Sequence, residues 1–178
     1  MKKLIIASGI ILFTVISASA QKYAYVDSDY ILSNIPEYKS AQQQIDNLSV
    51  QWQKEIEVKY SEIDKLYKAF QAEQILLTDD MKKKRETEII AKEKEVKELQ
   101  KSKFGVDGEL FKKRQDLVKP IQDKVYNAIK ALAEKSTYAV VFDKASGTTM
   151  LYTNPKYDKS DLILSNLGYK KGGSAPSK

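Results

Sequence analysis

The residues in this sequence that could engage another molecule are lysines and large apolar side chains, because the usual catalytic residue types are missing. The chain has 178 residues and contains no cysteine and no histidine. Their absence excludes cysteine-based metal or redox sites and removes the commonest general base. The sequence also has no Gly-rich phosphate loop and no G-x-S-x-G motif. We therefore predict a binding protein that is not an enzyme and that has no cofactor and no metal site.

The first candidate contact set consists of large apolar side chains on two long predicted helices. Spacings of three and four residues place most of them on one stripe, which favours packing between the helices, although some of them could instead face a binding partner. Three consecutive apolar residues cannot all face one helical partner, so the run 75–77 predicts at least one exposed side chain. The candidate contact residues are Tyr60, Tyr67, Phe70, Ile75, Leu76, Leu77 and Phe104.

The second candidate set is a block of four basic residues, Lys82, Lys83, Lys84 and Arg85, directly after a predicted turn. The second helical segment, residues 82–135, has 16 basic and 10 acidic residues, whereas residues 37–77 have 5 basic and 7 acidic ones. Such a block is typical of a solvated helix face with supporting ion pairs. The alternative is that it attracts an acidic polypeptide or anionic lipid at the turn.

Two long helices must position both sets. Residues 38–77 contain neither glycine nor proline, and a helix of that length spans about 60 Å. Because no domain of this size has a core that long, the helix must project or pack in a coiled coil. A second helical segment extends from Met81 to Lys135 and is interrupted by Gly105, Gly108 and Pro120. These residues predict either one bent, flexible arm or a break into two helices.

Short elements at the two ends of this arm predict a small body. Residues 22–27 alternate in the manner of a strand, and Tyr138–Phe142 is a second strand candidate. A turn around Gly147 followed by residues 149–152 predicts a hairpin. A last short helix, capped by Asp158 or Ser160, is expected to end at Gly168.

The predicted fold is therefore α+β, with a small β-rich body and a long antiparallel α-helical coiled-coil hairpin as its arm. The predicted division is 1–20 signal peptide, 21–37 first part of the body, 38–118 helical hairpin arm, 119–170 second part of the body and 171–178 disordered tail. The residues assigned to the body core and to overlapping subunit contacts are Tyr25, Val26, Ile121, Val125, Ile129, Tyr138, Val140 and Phe142.

Residues 1–20 have the pattern of a secretory signal peptide. Two lysines follow Met1, an apolar run extends from Leu4 to Ile16, and an A-x-A sequence ends at Ala20. The apolar run is shorter than the roughly 20 residues that a membrane-spanning helix needs. We therefore expect cleavage after Ala20 and export from the cytoplasm. Although the net charge is +6, export argues against a nucleic acid partner.

Several stretches, taken in order, resemble the Skp/OmpH family of periplasmic chaperones. The resemblance covers nearly the whole mature chain. Its stretches are Tyr25-Val26-Asp27, the charged hairpin, Lys119–Val125 leading to Ile129 and Ala133, Tyr138–Asp143, and Tyr157–Leu162 with Leu167.

The resemblance implies a periplasmic homotrimer in which three arms surround a cavity. Unfolded outer-membrane proteins would be held there without ATP and kept from aggregating, and the candidate contact residues would then be client-binding residues. The family is recognised by topology more than by side chains, so its client contacts cannot be transferred residue by residue. Two alternatives remain open, namely a structural coiled-coil tether and an anionic-lipid-binding protein of the cell envelope.

Overall fold

The computed structural model describes residues 21–147 and 149–170. The expected signal peptide and the expected C-terminal tail therefore lie outside the described residues. The elements in chain order are β1 (Lys22–Val26), α1 (Ser28–Ser33), α2 (Pro36–Glu73), α3 (Asp79–Phe104), α4 (Glu109–Ser136), β2 (Tyr138–Asp143) and α5 (Ser160–Asn166), with short 3-10 turns at Lys144–Ser146 and Pro155–Tyr157. The protein is mostly helical with one small sheet, so the α+β class and the long helical hairpin are both confirmed.

Helix α2 forms one unbroken side of the arm. Pro36 occupies its first turn, where the missing backbone N–H costs no hydrogen bond. The buried side chains of α2 recur at helical spacing and form the stripe that faces the rest of the arm; they are Ala41, Ile45, Trp52, Ile56 and Ile63. The helix ends at Glu73, four residues before the predicted end.

The opposite side of the arm is two helices rather than one bent helix. Helix α3 begins after Thr78, whose side-chain hydroxyl accepts a hydrogen bond from the backbone N–H of Met81 at 3.4 Å. The chain leaves helical geometry between Gly105 and Gly108 and then begins α4. A Cβ at Gly105 would collide with the backbone carbonyl of Lys101, so the break depends on glycine there. Pro120 lies inside α4, which continues through it without a break, so the expected bend at this proline stays a prediction.

The sheet differs from the prediction. Its two strands, β1 and β2, are parallel, with Tyr25 opposite Phe142. The expected antiparallel hairpin is wrong, because residues 149–154 form no strand. Residues 157–159 instead approach the free side of β1, where the Lys159 N–H donates to the Tyr25 carbonyl at 2.9 Å.

A carboxylate explains why the chain turns away after β2. The side chain of Asp143 accepts from the backbone N–H groups of Ser28 and Ala145, both at 3.0 Å, and from the Ser28 hydroxyl at 2.6 Å. This carboxylate therefore caps the 3-10 turn and joins the end of β2 to the start of α1. Gly147 then takes a left-handed conformation with φ of 77°.

The core of the body lies where the two ends of the chain meet. Its buried members come from β1, α1, α4 and α5, which are far apart in sequence. The residues of this body core are Val26, Ile31, Leu32, Ile35, Val125, Leu132, Ile163 and Leu164. Ile121, Ile129 and Tyr138 pack against it and are partly buried. The body thus closes by long-range contacts and leaves the arm as an insertion between its two parts.

Candidate functional site

The tip of the arm carries the most exposed apolar residues of the candidate contact set. Ile75 and Leu76 lie in the connection between α2 and α3 and are 89% and 86% exposed, while Leu77 is half-buried. The helix ends before this run, so its side chains do not reach the stripe between the helices. Two of the three residues, Ile75 and Leu76, are therefore exposed, and the sequence predicts at least one.

The aromatic candidates divide into two groups. Tyr60 and Tyr67 are about half exposed on α2, and the Tyr60 hydroxyl lies 3.5 Å from the side-chain carbonyl of Gln100. Phe70 and Phe104 instead pack into the apolar cluster between α2 and α3. A partner could reach the two tyrosines without disturbing the arm, whereas the two phenylalanines stabilise the arm itself.

The basic block next to the tip is only partly neutralised. Arg85 lies 3.8 Å from Glu73 across the hairpin and 3.9 Å from Glu88. Lys82 lies 3.7 Å from Asp79, and exposed pairs at such distances contribute little to stability. Lys83 and Lys84 are exposed and form no ion pair with any residue of 21–147 or 149–170. These two ammonium groups remain available to an anionic partner.

A second apolar surface lies on one face of the sheet, far from the tip in sequence. Val140 and Phe142 were assigned to the body core or to subunit contacts, and they are 42% and 44% exposed in the single chain. They are therefore not core residues of the single chain, and their role as subunit contacts stays a prediction. Alternation along paired strands puts Tyr23 and Tyr25 on the same face.

This face forms one wall of an open concavity of about 930 Å³. Besides the strand residues, its lining includes Met150, Tyr152 and Tyr157. Met150 and Tyr152 were missed because residues 149–152 were predicted to form a hairpin strand, and Tyr157 was given no contact role. The signal that could have found this surface is the frequency of tyrosine in the two segments that line it, with Tyr23 and Tyr25 in one and Tyr152 and Tyr157 in the other. Tyrosine combines a large apolar ring with a polar end. We call this concavity and its lining the sheet-face surface.

Polar contacts lock the two ends of the chain around the core. The Ser160 hydroxyl accepts from the Asp27 N–H at 2.9 Å and donates to Asp158 at 2.7 Å. The Tyr30 hydroxyl donates to Asp161 at 2.7 Å, and this hydrogen bond to a carboxylate raises the pKa of Tyr30. In Tyr169 burial is the main cause of a raised pKa. Each of these contacts holds the body together and none is arranged as a catalytic group.

The described residues provide neither a metal site nor a membrane span. Residues 21–147 and 149–170 contain no group of three or more Asp and Glu side chains that could hold a metal ion. In the same part of the chain no helix combines the length and the apolar character that crossing a bilayer requires.

Comparison with known proteins gives two findings. The family model for outer membrane proteins of the OmpH-like type matches residues 22–167. The fold is similar to the crystal structure of a Caulobacter crescentus protein assigned as an OmpH-like outer membrane chaperone, with a TM-score of 0.65, 13% identity and coverage of 91% of this chain and 90% of the other. At that identity the likeness shows the fold alone. No curated protein matches the sequence.

Proposed function

Because this chain belongs to the OmpH-like family of outer membrane proteins, we propose that it is a chaperone that holds unfolded outer-membrane proteins and prevents their aggregation without ATP. The observation that carries this proposal is the pair of exposed apolar residues, Ile75 and Leu76, at the end of an arm. Monomeric proteins rarely leave large apolar side chains grouped in water without a binding role. The family is one of chaperones, and its proteins work in the periplasm.

The arm is suited to weak and repeated contacts with an extended client. The exposed side chains at the tip and the half-exposed Tyr60 and Tyr67 lie at several levels along the arm. Many weak contacts on one client chain add up, because each contact raises the effective concentration at the next. Unpaired lysines near the tip add long-range attraction that salt weakens. A client held this way would stay soluble without being trapped.

We propose that the holding form is a homotrimer in the periplasm, reached after cleavage of the signal peptide. The sheet-face surface supports self-association, since the partly exposed Tyr23 and Phe142 line its concavity and the partly exposed Val140 lies on the same face of the sheet. Aromatic residues are enriched at the centres of protein interfaces. Three bodies joined there would carry three arms around a shared space.

The experiment that tests the function mixes the mature chain, residues 21–178, with a urea-unfolded outer-membrane β-barrel protein that is diluted into buffer. Light scattering follows aggregation, and size-exclusion chromatography with light scattering gives the composition of any complex. We expect suppression without ATP and a discrete complex. If the client aggregates at an unchanged rate with the mature chain in excess, a structural tether becomes the leading function.

Replacing both tip residues with serine, Ile75→Ser and Leu76→Ser, is expected to weaken client holding about tenfold or more. Losing two exposed apolar contacts removes roughly 1–3 kcal/mol of burial with the client. Aggregation assays over a concentration series measure this shift. Val106→Ser is the matched control, because Val106 is equally exposed at 89% but lies at the break in the arm. Equal losses in the two variants would mean that general arm hydrophobicity, not the tip, holds clients.

Anionic lipid is a second candidate partner, and the unpaired Lys83 and Lys84 favour it. A lysine near an anionic bilayer contributes about 1 kcal/mol. Flotation with vesicles containing anionic lipid across a salt series would detect this binding. Lys83→Gln with Lys84→Gln should reduce flotation, whereas the same change at the exposed Lys112 and Lys113 on α4 should not. Flotation that is independent of Lys83 and Lys84 would exclude this role for the tip.

A further inference from the structure

The two halves of the arm pack separately along the unbroken helix α2. The outer half has its own apolar cluster, in which Ile56 and Ile63 of α2 meet Ile89 and Val96 of α3. The inner half has another, in which Ala41 and Ile45 of α2 meet Val118 of α4. The connection 105–108 lies between them and crosses from one cluster to the other. The arm is therefore two packed segments that share one helix.

Trp52 occupies the level of α2 between these two clusters and lies against the break. It is 8% exposed. The ring of Phe104, the last residue of α3, meets it edge to face with centroids 6.2 Å apart at 86°, which is a favourable aromatic geometry. The gap that the break leaves beside α2 is thus filled by one large side chain.

Lys103 connects all three helices at this level. It belongs to α3, its ammonium lies 4.8 Å from the centre of the Trp52 ring on α2, and it pairs at 2.7 Å with Glu109, the first residue of α4. The Lys103 side chain is largely buried, at 17% exposure, so both contacts are partly desolvated and stronger than on an open surface. No other ion pair among the described residues joins α3 to α4.

The connection itself supplies little that would hold the two segments in line. Val106 at its centre points into water. Gly105 and Gly108 have no side chains, and a Cβ at Gly108 would lie 2.9 Å from the backbone nitrogen of Gly105. Residues 105–108 therefore contribute a compact backbone turn without apolar packing of their own.

We propose that Lys103 is the strap that keeps the outer and inner segments of the arm aligned across residues 105–108. With the ammonium in place, α3 is fixed to α4 through Glu109 and to α2 through Trp52. Without it, α3 and α4 are joined directly only by the glycine-flanked turn, and bending is resisted by α2 and by the separate packing of each segment on it. The strap acts on the direction of the outer arm and hence on the width of the space that the tip can reach.

The natural absence of cysteine makes the test direct, because two introduced cysteines are the only labelling sites. Spin labels at Lys94→Cys and Lys113→Cys, both exposed, report the distance between the outer and inner segments. Labelled chains are diluted with unlabelled chains so that distances between copies do not contribute. Hydrogen exchange of the backbone amides of residues 104–109 reports local opening.

In Lys103→Gln we expect a broader label-to-label distance distribution and exchange at residues 104–109 that is faster by about tenfold, the change expected when a partly buried cation–π contact and a charge-assisted hydrogen bond are lost together. Lys59→Gln is the matched control. It removes the 3.2 Å ion pair to Glu95, which joins α2 to α3 away from the break, and it should leave both readouts at their wild-type values.

A distance distribution that stays as narrow in Lys103→Gln as in the wild type overturns the proposal, and so does equal broadening in the two variants. Both readouts concern the arm alone and include no client. The outcome therefore stands apart from whether the protein holds unfolded outer-membrane proteins.

Discussion

Replacing Ile163 with alanine is expected to lower the free energy of unfolding of the body by about 2–5 kcal/mol. Ile163 is on α5 and is fully buried, at 0% exposure, in the body core. Its neighbours in that core include Ile31 from α1 and Val125 from α4. The cavity left by the lost side chain therefore opens at the point where the two ends of the chain meet, and the surrounding helices cannot collapse fully to fill it.

Hydrogen exchange of the α5 amides over a urea series measures this change, with the fluorescence of the single tryptophan, Trp52, reporting the arm separately. Leu162→Ala is the matched control on the same helix, because Leu162 is 44% exposed and should cost far less. In Ile163→Ala we expect the body to unfold at a lower urea concentration than in the wild type, and at a lower urea concentration than the arm. Similar midpoints in the two variants would mean that α5 is not part of the essential core.

The arm was predictable because its organisation is local. Spacings of three and four residues located the stripe of α2, and the turn predicted before the basic block located the start of α3. The choice between a bent helix and two helices could not be made from Gly105 and Gly108 alone. It depends on what fills the gap beside the glycines, and the contact of Trp52 with Phe104 joins residues that lie far apart in the sequence.

The body was only partly predictable because its pairings are non-local. The stretch Tyr138–Asp143 reads as a strand, but its pattern does not say whether it pairs with the segment that follows it or with residues more than a hundred positions earlier. The carboxylate of Asp143 decides this by binding the backbone and hydroxyl of Ser28. An aspartate at the end of a strand gives no such signal on its own.

The candidate sites also divide into features that are local in the sequence and features that depend on non-local contacts. Exposure of the run 75–77 follows from three apolar neighbours in a row, which is a local property. The partial neutralisation of the basic block does not follow from a local property of the sequence. The approach of Arg85 to Glu73 depends on how α2 and α3 meet at the tip. The sheet-face surface was missed in part because Met150 and Tyr152 reach it from an irregular segment rather than a strand.

Phe142→Asp is expected to weaken self-association about 30-fold or more, the change that corresponds to losing an interface anchor worth about 2 kcal/mol. Phe142 is half exposed and lines the sheet-face surface. If three bodies meet on this face, the substitution removes an aromatic contact and places a carboxylate in the buried contact area, next to Asp143. A charge buried without a partner is strongly unfavourable. The monomer should remain folded because the Phe142 side chain is outside the body core.

Sedimentation over a dilution series measures the association, and thermal circular dichroism confirms that the variant is folded. Tyr126→Asp is the control, since Tyr126 is an exposed aromatic residue on α4 outside the concavity. We expect Tyr126→Asp to assemble as the wild type does, while Phe142→Asp dissociates and loses client holding. Dissociation in Tyr126→Asp alone would place the interface on α4. A Phe142→Asp variant that stays assembled and still holds clients would show that the sheet-face surface is not the subunit interface.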